Sequence, residues 1–394
     1  MKKILLLIPL FIFFCGCSNY NELSDLAIVT GMAVDIKEDE YVVSTLISNS
    51  QKAEESSKEG NAGTVVYSGK GKTVSEALKQ IDTKIPKQLY FSHIAVVVIS
   101  EEVAKKGVAE ITDFFFRSPE STKRFYLIMA KDDKAEDVIK ILTPLETFPS
   151  QNIKLNIEST NKSTAISVSM TYSKFIENYL KKGADPYLPT ISIIGSSKKG
   201  SKNENLESSD LAATVQLKSL ALFKNTKFVG YANDDESRGI NIINSVINDM
   251  IITTDCDNKE AIIAISELKS KKSVKFKNDE PTIYIDIVAS GAIQEVTCDI
   301  DLRDPDEIEN LEKSVEKKIK KLANKGIKRA KELKTDVFGF GNFIYKRNPK
   351  YFKSVKNWYD EFEELEIKFN VDVKLETKGS IKQSIKAANN DDSK

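Results

Sequence analysis

Few side chains in this sequence could carry covalent or acid–base chemistry, and the cysteines come first: Cys15, Cys17, Cys256 and Cys298. A thiolate is both a nucleophile and a soft metal ligand, so its surroundings decide what it does. Cys15 and Cys17 flank Gly16 at the end of an apolar run, and Ser18 follows. There a thiol could accept a lipid, and small neighbours would let a peptidase reach the chain. Cys256 and Cys298 are either a disulfide or two buried thiols; four scattered cysteines in 394 residues are no disulfide scaffold. The one histidine, His93, nearly removes histidine-based metal sites and leaves one imidazole for proton transfer. It stands at the start of the apolar run 93–99, which reads as a buried strand with a hydrogen-bonded, structural histidine.

Other patterns have plain structural explanations. Gly69-Lys70-Gly71-Lys72-Thr73 lacks the spacing that wraps backbone N–H groups around a phosphate. A strand-to-helix turn, with Thr73 as N-cap and Glu76 completing a capping box, explains the same residues. Ser173 and the other serines have no nucleophile context, and no Gly-x-Ser-x-Gly occurs. Asp234-Asp235-Glu236 and Asp299-Ile300-Asp301 miss the spacing of a calcium loop and read as turns or solvated faces. The sequence therefore presents no catalytic constellation, no metal site and no cofactor motif. Lys+Arg and Asp+Glu both total 58, so overall charge points to neither nucleic acid nor an acidic substrate.

The N-terminus is the strongest local signal. Lys2 and Lys3 precede an uncharged apolar run, residues 4–14, which at 11 residues is short for a bilayer span and suited to a signal peptide. The following Cys15-Gly16-Cys17 resembles a bacterial lipobox, with Phe14 where leucine is usual and Cys15 where a small residue is usual. Residues 1–16 are then the signal and Cys17 the lipidated residue. One acyl chain holds a protein marginally, whereas two or more hold it stably, so a diacylglyceryl Cys17 would anchor the chain to the outer leaflet. No other stretch of about 18 apolar residues occurs, so the body is expected to be soluble.

The elements that follow alternate. Residues 41–47 and 125–129 read as strands, and 73–81, 110–116, 135–142 and 171–182 as amphipathic helices. A polar stretch, 196–210, reads as a linker between an N-terminal domain (17–195) and a C-terminal one (211–394, open to further subdivision). Beyond it come a hairpin (215–223 and 227–231, turning at Asn225-Thr226), a helix from about Ser237 with Ile240, Ile243, Ile247 and Met250 along one side, and an alternating strand at 283–287. Residues 307–334 form the longest helix, with the stripe Ile308, Leu311, Val315, Ile319, Leu322, Ala323, Ile327, Ala330 and Leu333. Trp358, at helical spacing with Val355 and Phe362, is expected to pack a helix onto the last strand, 367–375. The fold class is thus mixed α/β (α+β), multi-domain, with helices packed on mixed sheets. Between Leu311 and Lys334 ten basic residues face three acidic ones. This is either a solvated face or a surface drawn to anionic headgroups or an acidic partner, with Lys317, Lys320, Lys321, Lys328 and Lys331 as candidates.

Several blocks stand out in order: residues 21–23 and 27–35 after the lipobox, 71–107 with Pro86, Tyr90, Phe91 and His93, 111–120, and 220–239 with Gly230 and Glu236. The last is 333–362 with Asp336, Gly339, Gly341 and Trp358, followed by the strand and Gly379. Together they resemble the Ger(x)C spore germination lipoproteins. The resemblance covers nearly the whole mature chain. It implies a non-catalytic C subunit of a nutrient germinant receptor on the outer face of the spore inner membrane, with A and B membrane subunits as partners. It supplies no catalytic residues and leaves nutrient binding open; nucleic acid is no expected partner of an exported lipoprotein. The rival readings are a solute-binding lipoprotein of a transporter, which would need a cleft between two similar lobes, and a surface hydrolase, for which no triad or metal site exists.

Overall fold

The computed structural model describes residues 22–49, 63–118, 122–247, 249–256, 259–298 and 300–376. Cys15, Cys17, Asp299 and Gly379 lie outside them.

β1 (Leu26–Lys37) and β2 (Glu40–Ser48) form a hairpin turning at Glu38 and Asp39. Both turn residues are left-handed (φ 55° and 63°), the geometry that matches a two-residue turn to strand twist. β3 (Thr64–Gly71) pairs antiparallel with β2, and the short β4 (Gln88–Tyr90) runs parallel beside the start of β1. β5 (Val96–Ile99), β6 (Tyr126–Ala130) and β7 (Tyr187–Gly195) extend the sheet in parallel from β1. β8 (Ala213–Lys224) and β9 (Lys227–Tyr231) then close it with an antiparallel hairpin, giving the order β3-β2-β1-β5-β6-β7-β8-β9.

β5, at the centre of the sheet, is apolar and buried at every position because both of its faces are covered. Val97 and Ile99 meet α1 (Val74–Asp82), α2 (Glu101–Lys106), α3 (Ala109–Arg117) and α6 (Tyr172–Leu180) in one core. Val96 and Val98 meet α4 (Ala135–Ile139) and α5 (Pro149–Ser163) in the other. Thr73 caps α1 as expected, its Oγ1 accepting from the Glu76 N–H at 3.2 Å. The Glu76 carboxylate accepts from the Lys72 N–H at 2.9 Å, one residue earlier than a capping box requires. The Gly-Lys-Gly-Lys segment is accordingly a strand end and a helix entry.

The polar stretch 196–210 is not a structureless linker. It contains α7 (Ser197–Gly200) and α8 (Glu204–Glu207). Asn205 is fully buried: its Nδ2 donates to the Leu142 and Ala213 carbonyls at 2.8 and 3.0 Å, and its Oδ1 accepts from Ala213 N–H. One amide thus ties the stretch to the first layer, and the first sheet continues past it through β8 and β9. His93 also differs from expectation. The strand starts at Val96, and His93 is exposed in the turn before it, its ring 6.2 Å from that of Tyr90.

The second sheet has the order β10 (Met250–Cys256), β11 (Lys259–Lys277), β12 (Glu280–Val296) and β13 (Glu366–Glu376), with β12 and β13 parallel. α9 (Asp234–Ile243) precedes it and begins with a complete capping box between Asn233 and Glu236. Ile247 and Met250 therefore lie beyond that helix rather than on it. The long α10 (Pro305–Glu332) buries Leu311, Val315, Ile319, Leu322, Ala323, Ile327 and Ala330. Each large side chain on that stripe contributes about 1.5–3 kcal/mol by leaving water. α9 and α10 touch backbone to backbone, since a Cβ on Gly239 would lie 2.0 Å from the Leu322 carbonyl oxygen. The stripe, α9 and the inward face of the second sheet (Ile283, Ile285, Ile287) belong to the same core as Val97 and Ile99. The two halves are packed through it as one body of apolar side chains.

On the outer side of α10, Lys317, Lys320, Lys321 and Lys328 are exposed. Lys331 is not free for docking: its ammonium donates to the Glu363 and Leu365 carbonyls at 2.8 and 2.9 Å. Changing the four exposed lysines to glutamine is expected to shift stability by about half a kcal/mol or less each, whereas Lys331→Gln exceeds that. Urea unfolding of the five variants checks the distinction.

Candidate functional site

The charged groups buried most deeply come together where α10 ends. Past Glu332 the chain turns through Lys334, which is left-handed (φ 50°), and Thr335 donates to the Phe223 carbonyl. The next residue, Asp336, is fully buried. One carboxylate oxygen accepts from the Phe338 and Phe340 N–H groups at 3.2 and 3.1 Å. The other accepts from the Gly341 N–H at 2.8 Å and the Trp358 indole N–H at 3.2 Å. Asp336 thereby shapes the entry to α11 (Phe340–Arg347) and fixes Trp358, the first residue of α13 (Trp358–Glu364).

A second carboxylate reaches the same place from the first half of the chain. Asp185 Oδ2 accepts from the Asp336 N–H at 2.9 Å, and the Asp185 N–H donates to the Asp336 carbonyl at 2.9 Å. Its other oxygen accepts from the Asn225 N–H, in the β8–β9 turn, at 2.7 Å and from the Tyr359 hydroxyl at 3.1 Å. The two loops come this close because they meet at glycines. A Cβ on Gly183 would lie 2.7 Å from the Gly341 Cα, and one on Gly341 would lie 2.6 Å from the Trp358 ring. Trp358 is only partly buried, and Val355 lies between α12 (Pro349–Ser354) and α13 rather than on its helix. The indole packs between Phe352 and Phe362, with ring centroids 5.4 and 6.4 Å away.

Every polar contact to the Asp336 oxygens comes from an N–H, an arrangement made for the ionised carboxylate. Burial nevertheless pushes its pKa up to about 7, with the Asp185 charge adding to the rise and the Gly341 and Phe340 N–H groups opposing it. With both oxygens occupied and no exposure, Asp336 has no access to a substrate. The pair is an interlock between the halves, not an acid–base dyad. Among the described residues no group of three or more His, Cys, Asp or Glu side chains could hold a metal ion.

Beside the interlock lies a cleft of ≈ 360 Å³ between α6, the start of α11 and β11. Lys272 of β11 enters it, its ammonium donating to Asn244 Oδ1 at 2.8 Å and the Phe338 carbonyl at 2.9 Å. Desolvation pushes this lysine down to about 8. A folded-state pKa below the unfolded 10.5 means that the native state binds fewer protons between those values, so folding is favoured as pH rises through that window. The parent is therefore expected to gain stability on a Lys272→Met variant between pH 8 and 10.5, read as the difference in urea midpoints.

Sequence reading singled out Asp336, Gly339 and Gly341 only as matching positions and Trp358 also by its helical spacing, and the structure brings all four together. It passed over Asp185 and Lys272. The pairing left open for Cys256 and Cys298 is a disulfide, with Cα atoms 5.9 Å apart.

Two family models match the chain in order: "Spore germination protein N-terminal domain" over residues 19–193 and "Spore germination B3/ GerAC like, C-terminal" over residues 218–379. Among similar proteins, spore germination protein KC of Bacillus subtilis (strain 168) is 30% identical over 371 residues, covering 92% of this chain and 91% of that protein. Spore germination protein B3 of the same organism is 24% identical, covering 93% and 95%. The crystal structure of the GerBC protein superimposes with a TM-score of 0.52 at 17% identity, covering 88% of this chain and 96% of that one, a likeness of fold.

Proposed function

The chain belongs to the GerAC-like family of spore germination proteins, and from that membership we propose that it is the lipid-anchored, non-catalytic C subunit of a nutrient germinant receptor. The observation that carries the reading is the ordered match of both family models across residues 19–193 and 218–379; residues 1–16, read as a signal, and Cys17 stand directly before it. The family is one of spore germination proteins rather than of enzymes. In this reading Cys17 carries the lipid, the body sits on the outer face of the spore inner membrane, and the A and B membrane subunits are its partners. It serves assembly and the passing of a nutrient signal by binding and conformational coupling. One feature supports an exported location: the Cys256–Cys298 disulfide suits an oxidising compartment. Among the described residues no helix is long and apolar enough to cross a membrane, and in this reading the lipid on Cys17 makes the attachment. A solute-binding lipoprotein is less favoured, because the two halves carry sheets of different size and strand order rather than paired lobes.

Mass spectrometry of the mature N-terminus tests the anchor. We expect a diacylglyceryl-modified Cys17 as the first residue, retained in a Cys15→Ala variant and lost in Cys17→Ala, which should leave precursor or released protein. A mature chain that starts after Cys17 and carries no lipid would remove the anchor from the account.

A further inference from the structure

We propose that the cleft beside Lys272 is a binding site for a small organic anion, a carboxylate with a compact apolar body. The inference stands on the geometry of the cleft and does not rest on the receptor-subunit reading.

An ammonium has three hydrogens to donate, and Lys272 uses two, both on neutral acceptors. The charge acting on it most favourably is that of Asp336, whose oxygens are already taken by four N–H donors. The cleft's own acids are satisfied as well. Glu177 pairs with Lys181 at 2.7 Å, and Asp185 accepts from Asn225, Asp336 and Tyr359. At the mouth, Lys174 and Lys346 form no ion pair among the described residues. Positive charge thus lines a cleft whose carboxylates are already paired, Glu177 with Lys181 on its own wall, and an ammonium with a third hydrogen for an oxygen acceptor is suited to an anionic guest.

The rest of the wall sets the shape of the guest. Val168, Met170, Val246 and Phe338 form an apolar side, while Asn178 and Asn342 bring amides to the mouth. A volume of ≈ 360 Å³ stands near the lower end of small-molecule sites, which run from about 300 to 1,000 Å³. A bare oxyanion would leave the apolar wall unused, and a long acyl chain would not fit.

The test uses the purified full chain with ¹³C-methyl-labelled methionine, because Met170 lines the cleft whereas Met32 and Met129, on β1 and β6 of the first sheet, do not. Acetate, butyrate and inorganic phosphate are titrated separately at constant ionic strength. We expect the Met170 methyl signal to shift saturably with the carboxylates while those of Met32 and Met129 stay in place. Affinity should rise about tenfold from acetate to butyrate as two methylenes leave water. Lys272→Met should abolish the shift, and Lys346→Gln, a surface change that leaves the buried network intact, should weaken it several-fold. The proposal is overturned if no probe gives a saturable shift in the parent, if Lys272→Met binds butyrate as the parent does, or if phosphate binds more tightly than butyrate.

Discussion

Replacing Asp336 by asparagine is expected to lower the folding stability by about 3 kcal/mol, one of the two largest effects we foresee for a conservative change. The four donors around the carboxylate fall into two pairs, Phe338 and Phe340 on one oxygen, Gly341 and Trp358 on the other. Whichever way the asparagine amide is turned, its NH₂ faces one pair of N–H groups and leaves both without an acceptor. Each orphaned buried donor costs about 1–3 kcal/mol, and relief from burying a charge offsets part of that. Asp185→Asn should cost less. With its NH₂ on the side of Tyr359 only the Asn225 N–H is orphaned, since a tyrosine hydroxyl can turn and accept. Urea unfolding of both variants measures the difference. Equal midpoints for the parent and Asp336→Asn would mean that the shared apolar core alone holds the halves together.

The second large effect concerns Cys256 and Cys298. The bridge joins the last residue of β10 to the chain just after β12, around the end of the intervening β11. It closes a loop with a sequence separation of 42, for which the chain-entropy model gives about 4 kcal/mol of stabilisation. The Cys256→Ser/Cys298→Ser double variant should lose about that much, and the parent should lose the same on full reduction. An unchanged urea midpoint after reduction, with both thiols shown free by alkylation, would contradict the structural role given to the bridge.

The parts of this fold that were legible in the sequence are those whose burial follows one simple pattern, a single buried face or none exposed. The stripe of α10 and the alternation of β13 carry their period in the residues themselves, and β5 announces itself by burying both faces. The parts that were not legible mix signals. β7 contains Pro189 together with Thr190 and Ser192, all three buried, so proline and hydroxyl residues punctuate an interior strand and mask its period. β11 is lysine-rich over its second half, with Lys271 and Lys272 adjacent, so no strict alternation marks which face is buried. α5 is mostly polar and is held by Ile153 and Ile157. Of the interlock, family likeness marked Asp336, Gly339, Gly341 and Trp358, and nothing marked Asp185. Asp185, Lys272 and Asp336 are far apart in the chain, and no local pattern says that they meet. His93 shows the converse error, an apolar run extended three residues too far by its company.

The central claim is that this chain is one subunit of a membrane receptor. It is tested most directly by purifying the tagged, full-length protein from detergent-solubilised spore inner membranes and identifying what comes with it. The account predicts two integral membrane partners of the A- and B-subunit type in fixed proportion, both lost when Cys17→Ala prevents anchoring. Recovery of the lipidated chain by itself, with no integral membrane partner under detergent conditions that keep other membrane complexes intact, would contradict it.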